Sequence, residues 1–195
     1  NVTANHTIEA VFAKVEAKPT NPFVDVAEGT YYYDPVLWAV ANGITSGVDA
    51  THFEPEGTCT RAHAVTFLWR ASGQPEPKTT NMPFRDVKPG SYYEKAVLWA
   101  VENKITNGTG TTTFSPDENC TRAQIVTFLW RSKGEPYASD SNNPFTDIAS
   151  DYYMDAVFWA VKEGITNGTT PTTFSPNERC TRAQIVTFIY RAMVS

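Results

Sequence analysis

The chain has 195 residues, of which 41% are hydrophobic and 13% aromatic, so it is long and apolar enough to bury a core. Its formal net charge of −5 argues against nucleic acid or an anionic membrane surface as a partner. No apolar run approaches the roughly 20 residues of a membrane-spanning helix, so we expect no transmembrane segment. The chain starts without an initiator Met, and we expect it to be part of a longer protein.

Residues 1–18 stand apart from the rest of the chain. Within them, residues 7–13 partly alternate polar and apolar side chains, which is the pattern of a β-strand. Pro19 and Pro22 then indicate a linker. We therefore predict that residues 1–18 are the tail of a preceding β module followed by its linker.

The remainder of the chain consists of three related units. A stretch that begins Cys-Thr-Arg-Ala occurs in each, at residues 59–70, 120–131 and 180–191. Near-copies at a spacing of about 60 residues indicate a repeat architecture. The predicted units are residues 19–73, 74–134 and 135–195, of which the second and third open with a linker that contains Pro and Asn.

Each unit begins with a Phe-x-Asp phrase, a short turn and a first predicted helix. In the second unit, Ser91 and Glu94 fit a capping box at the start of this helix. In the first unit, Thr30 and the pair Asp34-Pro35 compete as the start, because Pro favours the first turn of a helix.

The end of the first helix is marked by a residue that favours the left-handed conformation. Gly43 and Gly164 stand at this place in the first and third units. Lys104 takes the place in the second unit, which would cost roughly 1 kcal/mol if the backbone there is unchanged. The loop that follows contains short β-branched pieces around residues 107–110, which we predict to form a small strand pair.

The second helix of each unit carries its own start signal. Thr121 and Gln124 form a capping box, and Thr181 and Gln184 repeat it. In the first unit His63 replaces the Gln, so we expect a weaker box. The helix behind the cap is apolar on nearly every side, which predicts that it is buried.

An arginine occupies the first turn of each second helix, at Arg61, Arg122 and Arg182. The positive end of the helix dipole repels a cation at this position. One interpretation is that the side chain packs its stem and leaves its charge in solvent, or pairs with a nearby Asp. The other interpretation is that the arginine and the free N–H groups of the helix start together hold an anion.

The three cysteines, Cys59, Cys120 and Cys180, occupy the same position in each unit. An odd number at equivalent places does not indicate a disulfide framework. A metal site made by all three thiolates would need the three helix starts to converge. We expect instead that the cysteines are small buried apolar residues, and we expect no metal and no cofactor.

The order Phe-x-Asp-Val, Tyr-Tyr, Ala-Val-x-Trp-Ala-Val, Gly-Ile-Thr-x-Gly, Phe-x-Pro and Thr-Arg-Ala-Gln resembles that of the S-layer homology domain. The resemblance covers residues 23–195 in three copies. It implies a mainly α fold, in which three helix–loop–helix repeats form a pseudo-threefold helical bundle, with the short β remnant at the N-terminus. The Cys and the Gln or His depart from the family's usual Ile-Thr-Arg-Ala-Glu.

The resemblance also implies a ligand and a site. In this family, grooves between repeats bind secondary cell-wall polysaccharide through a pyruvylated amino sugar, and the motif arginine meets the pyruvate carboxylate. The implied ligand-binding residues are Arg61, Arg122, Arg182, Trp38, Trp99, Trp159, Asp25, Asp86, Asp147, Gln124, Gln184, Gly47, Gly108 and Gly168. For the tryptophans, core packing is the alternative interpretation; for the aspartates, it is turn capping.

We therefore predict a non-catalytic module that anchors a larger exported protein to the bacterial cell wall or S-layer. The ligand is secondary cell-wall polysaccharide or a peptidoglycan-associated glycan, and the chain is a monomer with internal pseudo-threefold symmetry. The alternative is a structural module for protein–protein interaction or self-assembly, in which the arginines serve only as salt bridges at the helix starts. No catalytic Ser-His-Asp set or carboxylate pair stands out against the repeat pattern.

Overall fold

A computed structural model describes residues 20–139, 143–149 and 151–194; the strand predicted within residues 1–18 lies outside them. Six helices account for the regular structure of the described ranges, two in each repeat. They are α1 (Tyr33–Ala41), α2 (Arg61–Ala71), α3 (Glu94–Glu102), α4 (Arg122–Ser132), α5 (Met154–Lys162) and α6 (Arg182–Val194).

The second helices of the repeats, α2, α4 and α6, pack against one another and form the centre of the bundle. Each first helix lies outside them and packs on the central helix of the preceding repeat: α3 on α2, α5 on α4, and α1 on α6. The predicted pseudo-threefold bundle of helix–loop–helix repeats is thus confirmed. The repeats are nevertheless intertwined, because each outer helix packs on a neighbour's central helix.

The starts of the three central helices meet in a closed ring of backbone hydrogen bonds. The amide of Cys120 donates to the carbonyl of Cys59 over 2.8 Å, and the amide of Cys180 donates to the carbonyl of Cys120 over 2.8 Å. The amide of Cys59 closes the ring on the carbonyl of Cys180, at 3.2 Å. All three cysteine side chains are buried free thiols. Although the helix starts converge, the described residues contain no His, Cys, Asp and Glu cluster that could hold a metal ion.

The capping boxes of the central helices form as predicted. In α4 the hydroxyl of Thr121 accepts from the amide of Gln124, and the side chain of Gln124 accepts from the amide of Thr121. The same two bonds join Thr181 and Gln184. His63 also makes both bonds in α2, at 3.3 Å each, so an imidazole can replace the amide here.

The outer helices start differently from our expectation, because no side chain caps them. The capping box predicted for Ser91 is wrong: α3 begins at Glu94, whose carboxylate accepts from the amide of Gly90 instead. The amide of Glu94 donates to the carbonyl of Ser91, and the hydroxyl of Ser91 is buried without a hydrogen-bond partner among the described residues. A backbone turn before the helix therefore replaces the side-chain cap.

The loops contain less β-structure than we expected. The predicted strand pair near residues 107–110 is reduced to one isolated bridge between Gly110 and Thr113, and Thr170 and Thr173 repeat it. The backbone is unchanged at Lys104, which adopts the left-handed conformation with a φ of 58°, beside 65° and 67° at Gly43 and Gly164. No helix in the described ranges is both long enough and apolar enough to cross a membrane.

We expect Lys104→Gly to raise the free energy of unfolding by about 1 kcal/mol, because Gly adopts the left-handed backbone without the clash of a Cβ. Urea unfolding would measure the change. Gly43→Ala and Gly164→Ala are the matched controls and should lower stability by a similar amount, since no atom lies within 4 Å of an added Cβ at either place. A Lys104→Gly variant that is less stable than the parent would contradict this account.

The cysteines should be inert while the protein is folded. Burial raises the pKa of the Cys59 and Cys120 thiols from 9.0 to about 12, and it raises the pKa of Cys180 as well. Because the thiolate is the reactive form, alkylation at about pH 8 should be roughly a thousandfold slower in the folded protein than in concentrated urea. Mass spectrometry would count the modified thiols. Rapid alkylation of any cysteine without unfolding would show that the hydrogen-bonded ring opens.

Candidate functional site

Two grooves of similar size lie between the repeats. Groove I has a volume of about 330 Å³ and is lined by Arg61, Thr106, Asn107, Gly108, Thr109, Gln124, Thr127, Phe128, Arg131 and Tyr152. Groove II has a volume of about 350 Å³ and is lined by Tyr31, Arg122, Thr166, Asn167, Gly168, Thr169, Gln184, Thr187, Phe188 and Arg191. Each groove takes residues from all three repeats, so neither can form from one repeat alone.

The first-turn arginine lies in the floor of its groove. Arg61 is only 2% exposed, and its Nε donates to the carbonyl of Phe114 over 2.8 Å. Its guanidinium carbon lies 4.8 Å from the centre of the Phe114 ring and 5.5 Å from that of Phe128. Arg122 and Arg182 make the same contacts with the following repeat. The first interpretation, a packed stem with its charge in solvent, is therefore wrong.

One nitrogen of each arginine has no hydrogen-bond partner. In the described part of the chain, Nη2 of Arg61, Arg122 and Arg182 is buried and unpaired, and no carboxylate forms an ion pair with these arginines. Burial lowers the pKa of Arg61 and Arg122, because it disfavours their charged form. A buried cationic donor without a partner costs free energy, which a bound anion would recover.

The first-turn N–H groups of the central helices are not free to hold an anion, contrary to that part of our second interpretation. The amide of Arg61 donates to the carbonyl of Glu118 over 2.8 Å, and that of Ala62 donates to the carbonyl of Pro116 over 3.0 Å. The amide of His63 is used by the capping hydroxyl of Thr60. Equivalent bonds occupy the starts of α4 and α6. Among the described residues, the arginine side chain is therefore the group at the helix start that keeps an unused donor, its Nη2.

Polar side chains surround the arginine in both grooves. The Gln124 carbonyl oxygen is used by the cap, which leaves its amide group to donate to a ligand. Arg131 lies in the same groove, and its Nη1 donates to the carbonyl of Ile105 at 3.4 Å. In groove II the hydroxyl of Thr187 is buried without a hydrogen-bond partner among the described residues. These groups match a ligand that carries hydroxyl, amide and carboxylate oxygens.

An exposed tyrosine stands at each groove, and sequence reasoning missed it. Tyr152 lines groove I and Tyr31 lines groove II, with 51% and 54% of their surface exposed. Each packs edge-to-face on the next tyrosine in the chain. The sequence signal that could have revealed this tyrosine is the Tyr-Tyr pair that recurs in each repeat. In each groove, the first tyrosine of the pair and the arginine come from different repeats.

The glycines predicted for the site are needed by the backbone. Gly108 has a φ of 80°, and an added Cβ would collide with the Phe84 ring and the carbonyl of Thr113. Gly47 and Gly168 have similar conformations and similarly close neighbours. Gly108 and Gly168 line grooves I and II, so the tight turn brings the loop backbone to the ligand space.

The predicted tryptophans and aspartates lie elsewhere. Trp99 and Trp159 are 8% and 5% exposed and belong to the core, and Trp38 lines a separate pocket between α1 and α6. The carboxylate of Asp86 accepts from the amides of Phe114 and Ser115; Asp25 and Asp147 hold the equivalent loops. None of these six residues lines groove I or groove II, and the alternative interpretations, core packing and turn capping, describe them better.

The third arginine has different surroundings. We call groove III the equivalent surface formed by Arg182, Gly47, His63, Thr66, Arg70 and Tyr92. Here His63 replaces the glutamine, and its ring stacks on that of Tyr92, with 5.8 Å between ring centres. The stack places two aromatic rings together where grooves I and II hold a glutamine and a tyrosine. Groove III therefore presents a His–Tyr stack beside its arginine in place of a glutamine amide.

Intertwined helix–loop–helix repeats with a buried arginine in the grooves between them define a class of helical repeat module. The family model of the S-layer homology domain matches residues 22–65, 83–126 and 144–186, and the chain belongs to this family.

Known proteins are similar to this chain over only part of their own length. An endoglucanase of Bacillus sp. (strain KSM-635) is 37% identical over 60% of this chain and 12% of its own length. A cellulosome-anchoring protein of Acetivibrio thermocellus is 26% identical over 88% of this chain and 39% of its own. A surface-layer 125 kDa protein of Lysinibacillus sphaericus is 28% identical over 99% of this chain and 16% of its own. The chain thus spans well under half the length of these relatives.

The free energy of unfolding should fall as the pH falls, because His63 becomes protonated. Burial, followed by the charge of Arg182, lowers the pKa of His63 below its ordinary value of 6.5. The unfolded chain therefore binds a proton more readily than the folded chain, so the free energy of unfolding should fall as the pH drops below about 6.5. His63→Gln keeps a capping side chain, and its stability should fall less between about pH 7 and pH 5. Urea unfolding at several pH values would measure both slopes; parallel curves would contradict the prediction.

Proposed function

We propose that this chain is a non-catalytic anchor that holds a larger exported protein to the bacterial surface by binding secondary cell-wall polysaccharide in grooves I and II. The observation that carries the proposal is the buried, unpaired Nη2 of Arg61 and Arg122 in grooves of ligand size. An S-layer homology module acts at the cell surface, and the names of the anchoring and surface-layer relatives agree with this role.

A pyruvylated amino sugar suits the chemistry of the grooves. Its carboxylate supplies the charge that Nη2 lacks, and a charge-assisted hydrogen bond in a partly dry site is worth about 1.5–3 kcal/mol. The amide of Gln124 and the loop at residues 106–109 can bind acetamido and hydroxyl oxygens. The exposed ring of Tyr152 offers a flat apolar surface for the sugar ring.

The groove linings also favour binding over catalysis. Neither groove I nor groove II is lined by a carboxylate, an imidazole or a thiol. These are the groups that supply general acid–base or nucleophilic chemistry in most hydrolytic sites. We infer that any activity of the whole protein belongs to other parts of it, and that the protein works as a monomeric anchor through this module.

The competing function is a module for protein–protein interaction or self-assembly. It requires arginines that serve only as structural salt bridges, whereas Arg61, Arg122 and Arg182 form no ion pair with a described carboxylate. Polysaccharide binding accounts for the unpaired nitrogen, and the interaction hypothesis leaves it without a role.

The double variant Arg61→Lys, Arg122→Lys should reduce affinity for pyruvylated wall polysaccharide at least tenfold, since lysine keeps the charge but loses the planar donor fork. Isothermal titration with polysaccharide fragments, together with sedimentation on sacculi, would measure this.

Arg182→Lys provides the matched control. This arginine is 6% exposed and donates to the carbonyl of Phe53 at 2.7 Å, so its loss disturbs the fold as much as the loss of Arg61 or Arg122. Because the His63–Tyr92 stack replaces the glutamine amide beside Arg182, we expect groove III to contribute little, and the control should bind nearly as well as the parent. A folded double variant with full affinity would exclude the arginine site. Undiminished binding to polysaccharide stripped of pyruvate would exclude the carboxylate as the recognised group.

A further inference from the structure

A further cavity opens beside the turn that follows α1 in the first repeat. We call it the Arg70 pocket; its lining includes Pro22, Phe23, Thr45, Ser46, Arg70 and Gln74. Its volume is about 490 Å³, which is typical of small-ligand sites and exceeds that of groove I or groove II. No residue of its lining belongs to groove I or groove II, so the Arg70 pocket is separate from both.

Arg70 is the charged group of this pocket. It lies near the end of α2, and its Nη1 donates to the carbonyl of Ile44 over 3.0 Å, which anchors the guanidinium. No described carboxylate forms an ion pair with Arg70, and its Nε and Nη2 make no hydrogen bond within the described residues. The pocket therefore contains an anchored cation whose remaining donors are unused.

The second repeat shows how this arginine is neutralised elsewhere in the chain. Arg131 stands at the place of Arg70, and its Nε lies 3.8 Å from the carboxylate of Glu135. Its bond to the carbonyl of Ile105 is 3.4 Å long, compared with 3.0 Å for the bond of Arg70. Gln74 replaces Glu135 and keeps the same left-handed backbone, with a φ of 55° beside 56°. The first repeat therefore retains the turn but lacks its carboxylate.

Gly43 is a second place at which the first repeat differs from the second. It lines the Arg70 pocket, and no atom lies within 4 Å of an added Cβ there. Lys104 stands at the equivalent place and adopts the same left-handed backbone. The first repeat thus has open space where the second repeat carries a long side chain. Both differences, at Gly43 and at Gln74, favour a ligand beside Arg70.

The remaining groups of the pocket suit a sugar. Its apolar lining consists of Pro22, Phe23, Val40 and Ala50, and its uncharged polar lining includes Thr45, Ser46 and Gln74. The hydroxyl oxygen of Thr45 accepts from the amide of Gly47 at 3.3 Å, which leaves its O–H to donate to a ligand. A sugar ring that carries a carboxylate matches both the apolar surface and the arginine.

We propose that the Arg70 pocket binds a carboxylate-bearing sugar of the wall polysaccharide, with the carboxylate on the unused donors of Arg70. The choice of polymer rests on the proposed function, whereas the site itself rests on Arg70 and its surroundings. Groove III lacks the glutamine amide of grooves I and II, so the first repeat holds the polymer at Arg70 instead. A third contact with one polymer strengthens the attachment, because it raises the effective concentration at the other two sites.

Arginine side-chain resonances test each site separately. In a ¹⁵N spectrum of the full chain, fragments of wall polysaccharide should shift the Nε–H resonance of Arg70 and the backbone amides of Thr45 and Ser46. Fragments whose carboxyl groups have been reduced to alcohols should leave these resonances in place. Loss of the shift already on removal of pyruvate would identify the pyruvate carboxylate, and loss only on carboxyl reduction would identify a uronic acid.

Gln74→Glu is the sharpest variant, because it installs the carboxylate that the second repeat carries. Its ion pair with Arg70 should abolish the shift at Arg70 and leave the shifts of the Arg61 and Arg122 Nε–H resonances unchanged. The second repeat already holds such a pair in the same turn, so the variant should fold. Gln74→Asn is the matched neutral control and should keep the shift at Arg70.

The outcomes separate this inference from the proposed function. Shifts at Arg61 and Arg122 without one at Arg70 would overturn the inference and leave grooves I and II in place. A shift at Arg70 that persists in Gln74→Glu, or with carboxyl-reduced fragments, would equally count against a carboxylate on Arg70. A carboxylate-dependent shift at Arg70 with none at Arg61 and Arg122 would support the inference and exclude grooves I and II. No shift at any of these arginines would overturn both.

Discussion

The first-turn amides of each central helix donate to carbonyls in the loop of the next repeat, and the rest of the structure depends on these bonds. An α-helix leaves four N–H groups without an internal partner at its start. Here Arg122 and Ala123 give theirs to Glu178 and Pro176, while the Thr121 hydroxyl takes the amide of Gln124. Because the same exchange runs from each repeat to the next and closes on the first, no repeat completes its own helix start. Three repeats are therefore the minimal folding unit, and the cysteine ring marks their meeting point.

The loop that takes part in this exchange also provides the contacts of the first-turn arginine. The loop that accepts the helix amides also offers the Phe174 carbonyl to Nε of Arg122 and the Phe174 ring to its guanidinium. Stacking of this kind contributes about 0.5–2 kcal/mol per pair and one hydrogen bond about 1 kcal/mol. An unpaired buried donor on a charged group costs about 1–3 kcal/mol or more, so the two effects nearly balance. The fold can therefore hold the arginine without a ligand, and a bound anion would stabilise it further. This balance suits a reversible anchor.

The sequence predicted local features well and relations between repeats poorly. Capping at Thr121 and Thr181 depends only on residues nearby in the chain, so it could be predicted from the sequence. The pseudo-threefold bundle was predicted from the resemblance to the family and not from local patterns. Periodicity could not reveal that α1 packs on α6, since a helix has the same apolar face whichever neighbour it meets. The predicted set includes Arg61, Arg122 and the two glutamines that line grooves I and II, because these residues recur at fixed places in the repeat. It omits Tyr31, which reaches groove II from another repeat. For the tryptophans the sequence left two interpretations open, because an aromatic residue in the core and one in a sugar site have the same sequence signature; Trp99 and Trp159 lie in the core.

The departures from the repeat pattern carry more information than the pattern itself. A residue that is identical in all three repeats shows only that the shared fold needs it. One example is the aspartate that holds the loop in each repeat, namely Asp25, Asp86 and Asp147. At His63 a substitution keeps the cap but adds a ring that meets Tyr92, so the fold is retained and one groove is changed. At Val194 a glycine is lost and the helix continues, which alters only the surface beside α1. Both changes leave the amide exchange at the centre untouched. The core must keep the amide exchange in all three repeats, whereas the surfaces around it can differ from one repeat to the next. One bundle can therefore present unequal sites.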